Sequence, residues 1–418
     1  MAEFSIRDKC KVNTNLDTDT FVGIMCEDGK FSVHFPLGFS VSEQDKELRK
    51  DILLLISTIA ATTQRKDSEI EEKAQSFNHS SFPFQAYLYI IYDFYGRGYY
   101  MERETKYNIA KRGKIDWNRT IKTQKAYVQN DNVFYLDFVT KKNTIKDDEM
   151  ITLIHEYCVY DAFSKIGWLY TSQLPAKPRL KFNAKLFRSI VTDKLRNTFN
   201  DKNKTLFTNM LAVINYLGDE NSGIDYKYGT YRFEYVWEAI IDRVFGIPNK
   251  EEYYPKTTWN IAGTDIEVND SYENSSLRPD SIMIHNGNIY VLDAKYYKYG
   301  AYKNPGMLPK STDINKQITY GEYIAEQKKF KILHGKNYIV YNAFLMPFDK
   351  MSKYWKGSDS IIRIGQAIGN WKDNKKAYEN VQGILVDLKY LMKISVRQDE
   401  EEISKLAEII EANIGGLK

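Results

Sequence analysis

The pattern of apolar and polar residues is most informative over residues 278–299, which read RPDSIMIHNGNIYVLDAKYYKY. Two runs rich in β-branched residues flank Asn286 and Gly287, the residue pair that most strongly favours a type I′ turn. A two-residue turn fixes the register of the two strands, so His285 should face Asn288. The pattern therefore predicts a β-hairpin with a defined pairing.

Counting back from the turn along this register, Asp280 should face Asp293. Side chains alternate between the two faces of a strand, so Asp280, Asp293 and Lys295 should share one face. Directly opposed residues have Cβ atoms about 4.5–5.5 Å apart, and like charges at that distance destabilise the pair. Two acids held this close beside apolar neighbours indicate a nearby cation. Lys295 supplies one positive charge, and a divalent metal would supply the rest.

The remaining apolar spacing predicts helices and strands in a mixed α/β order. In the C-terminal half, helices are predicted over 231–245 and 311–329, and strands over 337–348 and 381–392. Before them, the pattern predicts a hairpin at 20–39, a helix from residue 42, a helix over 82–95, short strands over 99–141, helices over 147–170, 182–199 and 202–217, and a polar linker over 218–229.

These elements suggest three segments. We predict an N-terminal mixed α/β module with its own sheet at residues 1–145, a helical connector at 146–219, and a C-terminal α/β sandwich at 220–418. Strands that are apolar on both faces and alternate with helices favour the sandwich. The fold class is therefore α/β (mixed).

The composition restricts the class of protein but does not indicate a specific function. The 418 residues carry 59 Lys and Arg against 55 Asp and Glu, a net charge of +4, with 43% hydrophobic and 27% charged residues. This is the profile of a globular protein with a proper core. Because the net charge is small, any surface that binds nucleic acid must be a local basic patch. The run from Lys111 to Lys125 around Trp117 suits contact with phosphates, although an ordinary solvated loop or a surface for docking a partner fits it as well.

Three cysteines and five histidines are scattered without the spacing of a zinc site or a disulfide framework. The first ten residues lack the apolar core of a signal peptide. The longest apolar run, residues 52–61, is too short to span a bilayer. We therefore expect a cytoplasmic protein without a membrane partner.

Two acids and a lysine in this arrangement suit metal-dependent hydrolysis of a phosphodiester. Carboxylates are preferred ligands of Mg²⁺, which retains waters that can attack a phosphate, and Mn²⁺ is expected to substitute. Asp280 and Asp293 would bind the metal, with the carbonyl of Ala294 as a further ligand. Lys295 would hold the attacking water or stabilise the charge that develops on the phosphate.

The chain also resembles a known nuclease family at the level of sequence motifs. Pro279-Asp280 and Asp293-Ala294-Lys295 resemble the PD-(D/E)xK nuclease superfamily. Longer motifs are similar to the LlaJI group of restriction endonucleases, which is in turn similar to McrC: FPLGF at 35–39, GKIDWNRTIK at 113–122, FEYVWE at 233–238, RPD at 278–280, DAKYYKYG at 293–300 and DINKQITYGEY at 313–323.

This resemblance implies a restriction-endonuclease-like sandwich, Mg²⁺-dependent cleavage of double-stranded DNA and a role in prokaryotic restriction. It further implies an AAA+ GTPase partner similar to McrB. Cutting both strands requires two active sites, so we also expect dimerisation on DNA. Two alternatives stay open: a self-sufficient type II enzyme that recognises its own site, and a nuclease-like subunit that binds or activates without cutting.

Helices on either side of the hairpin offer additional site residues. In nucleases of this kind the preceding helix often donates an acid, and helix 231–245 contains Glu234 and Glu238. Periodicity slightly favours Glu234, whereas the Trp237-Glu238 match to the family favours Glu238, which we select. On helix 311–329, Gln317 lies on the packed side, where it could orient a water or a phosphate or could pair with a backbone group. We predict that Asp313 caps that helix.

Overall fold

The computed structural model describes residues 6–412 except 17, 29, 64–76, 79–81, 131, 147–148, 172, 220–225, 258, 261–266, 269–276 and 336. The chain divides into two compact units. The first unit combines Met1–His79 with Asp225–Lys418, and the second unit is Ser80–Ile224. No helix in the described part of the chain is both long and apolar enough to cross a membrane.

The elements are numbered in chain order. The strands are β1 (Cys10–Val12), β2 (Val22–Glu27), β3 (Lys30–Phe35), β4 (Phe77–Asn78), β5 (Glu102–Ala110), β6 (Ala126–Gln129), β7 (Asn132–Tyr135), β8 (Phe138–Lys146), β9 (Tyr226–Thr230), β10 (Trp259–Asn260), β11 (Glu267–Val268), β12 (Ser281–His285), β13 (Asn288–Ala294), β14 (Val340–Phe348), β15 (Ile361–Ile368) and β16 (Asn380–Asp387). The α-helices are α1 (Asp45–Thr63), α2 (Phe84–Arg97), α3 (Trp117–Thr123), α4 (Met150–Ile166), α5 (Ala184–Asn197), α6 (Asp201–Leu217), α7 (Phe233–Phe245), α8 (Tyr299–Tyr302), α9 (Ser311–Glu326), α10 (Lys328–Leu333), α11 (Leu388–Ile394) and α12 (Glu400–Glu411).

The main sheet of the first unit has the order β12-β13-β14-β16-β15. Strands β13, β14 and β16 are parallel, while β12 and β15 run antiparallel to their neighbours. Every residue of β14 is buried, because helices cover both faces of the sheet. Helix α9 packs Ile318 and Ile324 against Val291 and Phe344 on one face, whereas α7 and α12 contact the sheet outside this cluster. The predicted mixed α/β class is confirmed.

Most predicted elements of the C-terminal half are present with shifted ends. The strand predicted over 381–392 ends at Asp387, because the Asp387 side chain accepts a hydrogen bond from the Tyr390 amide and caps α11. The helix predicted over 311–329 ends at Glu326, and α10 begins after Gln327. Strand β15, which has a bulge between Arg363 and Gly365, was not predicted.

The second sheet of the first unit has the order β1-β3-β2-β9-β4. The predicted hairpin at 20–39 is confirmed as β2 and β3. Strand β9, however, lies in the stretch that the sequence predicted as a linker, and it pairs Gly229 with Gly23. A Cβ atom on Gly23 would lie 2.2 Å from the Tyr228 carbonyl oxygen, so the close pairing of these strands requires glycine.

This pairing explains why the observed units differ from the predicted segments 1–145, 146–219 and 220–418. The N-terminal residues complete a sheet with β9 and belong with the C-terminal residues rather than with 80–145. Helix α1 contributes to the same packing through Asp51, whose carboxylate lies 2.8 Å from Lys389 Nζ of α11. The nearby Ser42 hydroxyl lies 2.9 Å from the same ammonium group.

The second unit combines a helical core with an extended β-ladder. The predicted helices over 82–95, 147–170, 182–199 and 202–217 correspond to α2, α4, α5 and α6. The predicted short strands over 99–141 correspond to the paired strands β5–β8 and β6–β7. The same stretch contains helix α3, which was not predicted. Asp116 caps this helix by accepting a hydrogen bond from the Arg119 amide.

Candidate active site at the β12–β13 hairpin

The turn of the hairpin adopts the geometry that its sequence favours. Asn286 and Gly287 both have positive φ angles, 48° and 79°, as a type I′ turn requires. The register pairs His285 with Asn288 and continues to Ser281 opposite Leu292. The predicted register is therefore confirmed over the whole of β12.

Asp280 directly precedes the first paired residue of β12, and the next position along β13 is Asp293. The Asp280 carboxylate accepts a hydrogen bond from the Ala294 amide at 2.8 Å, between Oδ2 and N. Neighbouring N–H and C=O groups of one strand residue point to the same side, so the Ala294 carbonyl also faces the end of β12. The structure thus brings Asp280, Asp293 and the Ala294 backbone to one end of the hairpin.

Lys295 supplies a positive charge beside these acids. Its Nζ lies 2.6 Å from Asp293 Oδ2 and 3.7 Å from Asp313 Oδ1. The Lys295 side chain is 17% exposed and the Asp293 side chain 5% exposed, so the pair is largely shielded from water. Burial alone would lower the pKa of Lys295, but Asp293, Asp280 and Asp313 outweigh it and raise the pKa above its ordinary value. The ammonium group is therefore charged at neutral pH.

The pKa of Asp280 is perturbed by burial and by the neighbouring acids. Burial raises its pKa well above the ordinary value, and the negative charges of Asp293 and Glu238 raise it further. The Ala294 amide and Lys295 lower the pKa and offset this effect only in part. Three carboxylates thus act on one another with too little positive charge nearby, which is the condition that a bound cation relieves.

The donor set fits Mg²⁺ in number and in chemistry. Among the described residues, no three His, Cys, Asp or Glu side chains lie together as a complete metal cage. Mg²⁺ does not need such a cage, because it commonly takes one or two carboxylates and keeps several waters. Asp280, Asp293 and the Ala294 carbonyl would supply that kind of partial shell.

Of the two helical acids, Glu238 is the one whose charge reaches the hairpin. It is half-buried on α7 and raises the pKa of Asp280. Glu234, one turn earlier, forms an ion pair with Arg232 at 2.7 Å and is 37% exposed. Of the two acids, Glu238 is therefore the one that lies near the hairpin. Its part in catalysis stays a prediction.

Gln317 and Asp313 both lie on the hairpin side of α9. Gln317 is 1% exposed, and its Nε2 donates a hydrogen bond to the Val291 carbonyl at 2.7 Å. This pairing with a backbone group is the second of the two roles considered for Gln317. Its Oε1 is buried and finds no hydrogen-bond partner among the described residues. Asp313 accepts a hydrogen bond from the Lys310 amide at the start of α9, which is the capping role that was predicted, and also accepts one from the Tyr297 hydroxyl.

Two residues near the site were not found from the sequence. The Tyr320 hydroxyl donates to the Arg278 carbonyl at 3.0 Å, and Lys250 Nζ donates to the Asp280 carbonyl at 2.7 Å. Lys250 also lies 3.1 Å from Asp242 of α7. Tyr320 and Lys250 therefore hold the segment that carries Asp280. Tyr320 could have been suspected because it follows Gln317 by about one helical turn, but no sequence signal pointed to Lys250.

A comparison with family models decides the classification of the chain. The model of the LlaJI restriction endonuclease family matches residues 21–362. The chain belongs to this family. The matched LlaJI region contains the hairpin, Glu238 and Gln317, together with the basic run around Trp117.

This LlaJI-family chain is also similar to individual known proteins. The chain is 29% identical over 289 residues to the Type II restriction enzyme BsuMI component YdjA of Bacillus subtilis (strain 168), a match that covers 63% of this chain and 58% of that protein. A chain in the half-complex of Thermococcus gammatolerans McrB AAA+ hexamers with bound McrC aligns at 15% identity, covering 93% of this chain and 83% of the other. Its TM-score of 0.35 is too low to support a structural argument.

The basic run at Lys111–Lys125 lies in the second unit, at and around α3. Trp117 is 53% exposed, and the Arg119 guanidinium lies 3.6 Å from the centre of the Tyr107 ring. The neighbouring β6–β7 hairpin exposes Val128 and Val133. This surface combines basic and apolar side chains, so contact with DNA and docking to a protein partner both stay predictions.

Proposed function

We propose that this LlaJI-family chain is a Mg²⁺-dependent endonuclease that cleaves double-stranded DNA as the cutting component of a restriction system. The observation that carries the proposal is the arrangement of Asp280, Asp293 and Lys295 at the end of one hairpin. Bound Mg²⁺, for which Mn²⁺ should substitute, would lower the pKa of a water and neutralise charge on the scissile phosphate.

The protein groups have separate tasks in this proposal. Asp280, Asp293 and the Ala294 carbonyl hold the cation, and the Ala294 amide keeps the Asp280 carboxylate in place. Lys295, which is fixed by its contact with Asp293, holds the attacking water or stabilises negative charge on the phosphate. Glu238 adds negative charge from α7, and Gln317 fixes the β13 backbone two residues before Asp293.

We further propose that cutting depends on an AAA+ GTPase subunit similar to McrB. The BsuMI relative is described as a component of a restriction enzyme, which favours an assembly of several proteins. The exposed apolar side chains around α3 and β6–β7 would suit contact with such a partner. A self-sufficient type II enzyme is the second candidate, since the same relative is a component of a Type II restriction enzyme.

The test is a plasmid-cleavage assay with the parent chain, Asp293→Asn and Lys295→Gln. Each is measured with Mg²⁺ alone, and then with GTP and a candidate AAA+ GTPase encoded by a neighbouring gene. We expect cleavage by the parent only in the complete mixture and a loss of at least about 100-fold in both variants. Glu47→Gln and Lys50→Gln remove an exposed ion pair of the same chemistry and serve as matched controls.

Each other outcome has a definite meaning. Cleavage by the parent with Mg²⁺ alone would replace the partner-dependent proposal with the self-sufficient enzyme. Equal activity of parent, Asp293→Asn and Lys295→Gln would show that cutting comes from elsewhere, and this chain would then be a binding or activating subunit.

A further inference from the structure

One short segment of the second unit carries a large excess of positive charge. Residues 177–204 contain nine Lys and Arg and two Asp, a net charge of +7. The whole chain has a net charge of +4, so everything outside this segment is net −3. The segment contains all of α5 and the start of α6, and it is separate in sequence from the basic run at Lys111–Lys125.

Helix α5 presents part of this charge on one face. Lys185, Arg188 and Arg196 lie three and eight residues apart, with the hydroxyl residues Ser189 and Thr192 between them, and together they line a shallow groove. Positions with this spacing share one side of a helix. The other side of α5 buries Phe187 and Val191, so the polar face is the outer one.

The geometry of this face suits a regularly charged polymer. Lys185 and Arg196 are eleven residues apart, which is about 16 Å along a helix axis. Each strand of a DNA duplex carries one phosphate per about 3.4 Å of its axis, so several phosphates fall within this length. Arg188 Nε donates to Asn215 Oδ1 of α6 at 2.7 Å, which orients its guanidinium group. The acid of the groove, Asp193, accepts a hydrogen bond from Asn197.

An exposed aromatic ring stands at the end of the same helix. Phe199, in the short link between α5 and α6, is 91% exposed. Arg196 precedes it, and Lys202 and Lys204 follow it as exposed residues of the first turn of α6. An apolar ring this exposed beside several cations suits the insertion of a side chain into a DNA groove.

We propose that the α5–α6 helical hairpin is a sequence-independent grip on duplex DNA, distinct from the cutting site. Lys185, Arg188 and Arg196 contact phosphates, and Phe199 packs against the sugars and base edges of the adjoining groove. This inference takes its DNA substrate from the proposed function, but it concerns binding rather than cleavage. A restriction subunit with such a grip would hold DNA whatever sequence surrounds the cleavage position.

The test measures the binding of a fluorescent duplex of random sequence by fluorescence anisotropy, in EDTA so that no cleavage occurs. Arg188→Gln combined with Arg196→Gln should weaken binding by roughly tenfold or more at 0.1 M salt. The slope of log affinity against log salt should fall by about two, one for each lost phosphate contact. Lys393→Gln combined with Arg397→Gln removes the same charge from exposed positions of the first unit and should leave both quantities unchanged.

Substitutions of Phe199 test the contact of the aromatic ring with DNA separately from the charge contacts. Phe199→Ala should weaken binding by about fivefold or more without changing the salt slope, whereas Phe199→Trp, which keeps an aromatic ring, should bind like the parent. Thermal melting of every variant establishes that it folds. Parent-like binding by the α5 double variant, or no binding of duplex by the parent, would overturn the inference. The plasmid assay, whose readout is cleavage, tests the proposed function separately.

Discussion

The Asp280 carboxylate accepts a hydrogen bond from the amide of Ala294, on the neighbouring strand, at 2.8 Å. This single contact joins the end of β12 to the segment that carries Asp293 and Lys295. It also holds a carboxylate whose pKa is raised well above its ordinary value by burial and by the charges of Asp293 and Glu238. The site is therefore electrostatically strained at the position proposed for the metal.

The strain on Asp280 predicts a gain in stability when its charge is removed. Because the folded-state pKa is raised, the unfolded chain releases this proton first as pH increases above about 4. The stability of the metal-free chain therefore falls as pH rises from there through the folded-state pKa. Asp280→Asn should raise the melting temperature of the metal-free chain at pH 8 by roughly 2 °C or more, with a smaller effect at pH 4.5.

The same variant should lose its response to the metal. Mg²⁺ should raise the melting temperature of the parent, more strongly at higher pH, and should leave Asp280→Asn unchanged. Asp359→Asn, at an exposed position, is the control. A destabilised Asp280→Asn chain at pH 8 would contradict the assignment of electrostatic strain to Asp280.

Substitution of Glu238 by Gln should affect the site, whereas the same substitution at Glu234 should not. Glu238→Gln removes a charge that raises the pKa of Asp280, so metal-induced stabilisation should begin at a lower pH. Cleavage should fall by about 10–100-fold, the usual cost of losing a group that tunes a metal site. Glu234→Gln, which breaks only a surface pair with Arg232, should change neither quantity. Equal effects of the two variants would remove Glu238 from the site.

Tyr320 should act on the metal site through the backbone. Tyr320→Phe removes its hydrogen bond to the Arg278 carbonyl and should cost about 1 kcal/mol of stability. It should also weaken the apparent affinity for Mn²⁺, measured by isothermal titration calorimetry. Tyr338→Phe is a matched control, because that hydroxyl also donates to a backbone carbonyl, at 2.7 Å from Ile324. It should cost similar stability and leave Mn²⁺ affinity intact.

Two glycines should respond in opposite directions to a single methyl group. Gly23→Ala places a Cβ 2.2 Å from the Tyr228 carbonyl oxygen, which should separate β2 from β9 and cost about 3 kcal/mol or more. Gly96, near the end of α2, has no atom within 4 Å of the added Cβ, so Gly96→Ala should stabilise that helix by up to about 1 kcal/mol. Chemical denaturation measures both changes. A neutral Gly23→Ala chain would count against the β2–β9 pairing.

The sequence by itself determined the hairpin and its chemistry. Asn286 and Gly287 specify a turn whose length leaves one register, and the alternation of side chains then brings Asp280, Asp293 and Lys295 together. This inference succeeds because the turn and the alternation are local properties of the chain. Helices α1, α2, α4, α5, α6, α7 and α9 were found for the same reason, since apolar spacing is read within a few turns.

Only the tertiary structure decided which distant residues join that hairpin. Strand β9 resembles a linker in sequence, because a strand with little apolar character owes its conformation to its pairing with β2 rather than to its own residues. Lys250 reaches the Asp280 carbonyl through a short turn with no periodic signal. Periodicity slightly favoured Glu234 over Glu238, and the choice follows from which side of α7 meets the end of β12. Local patterns determine elements and registers, whereas the positions of charges across elements depend on packing, which no local pattern contains.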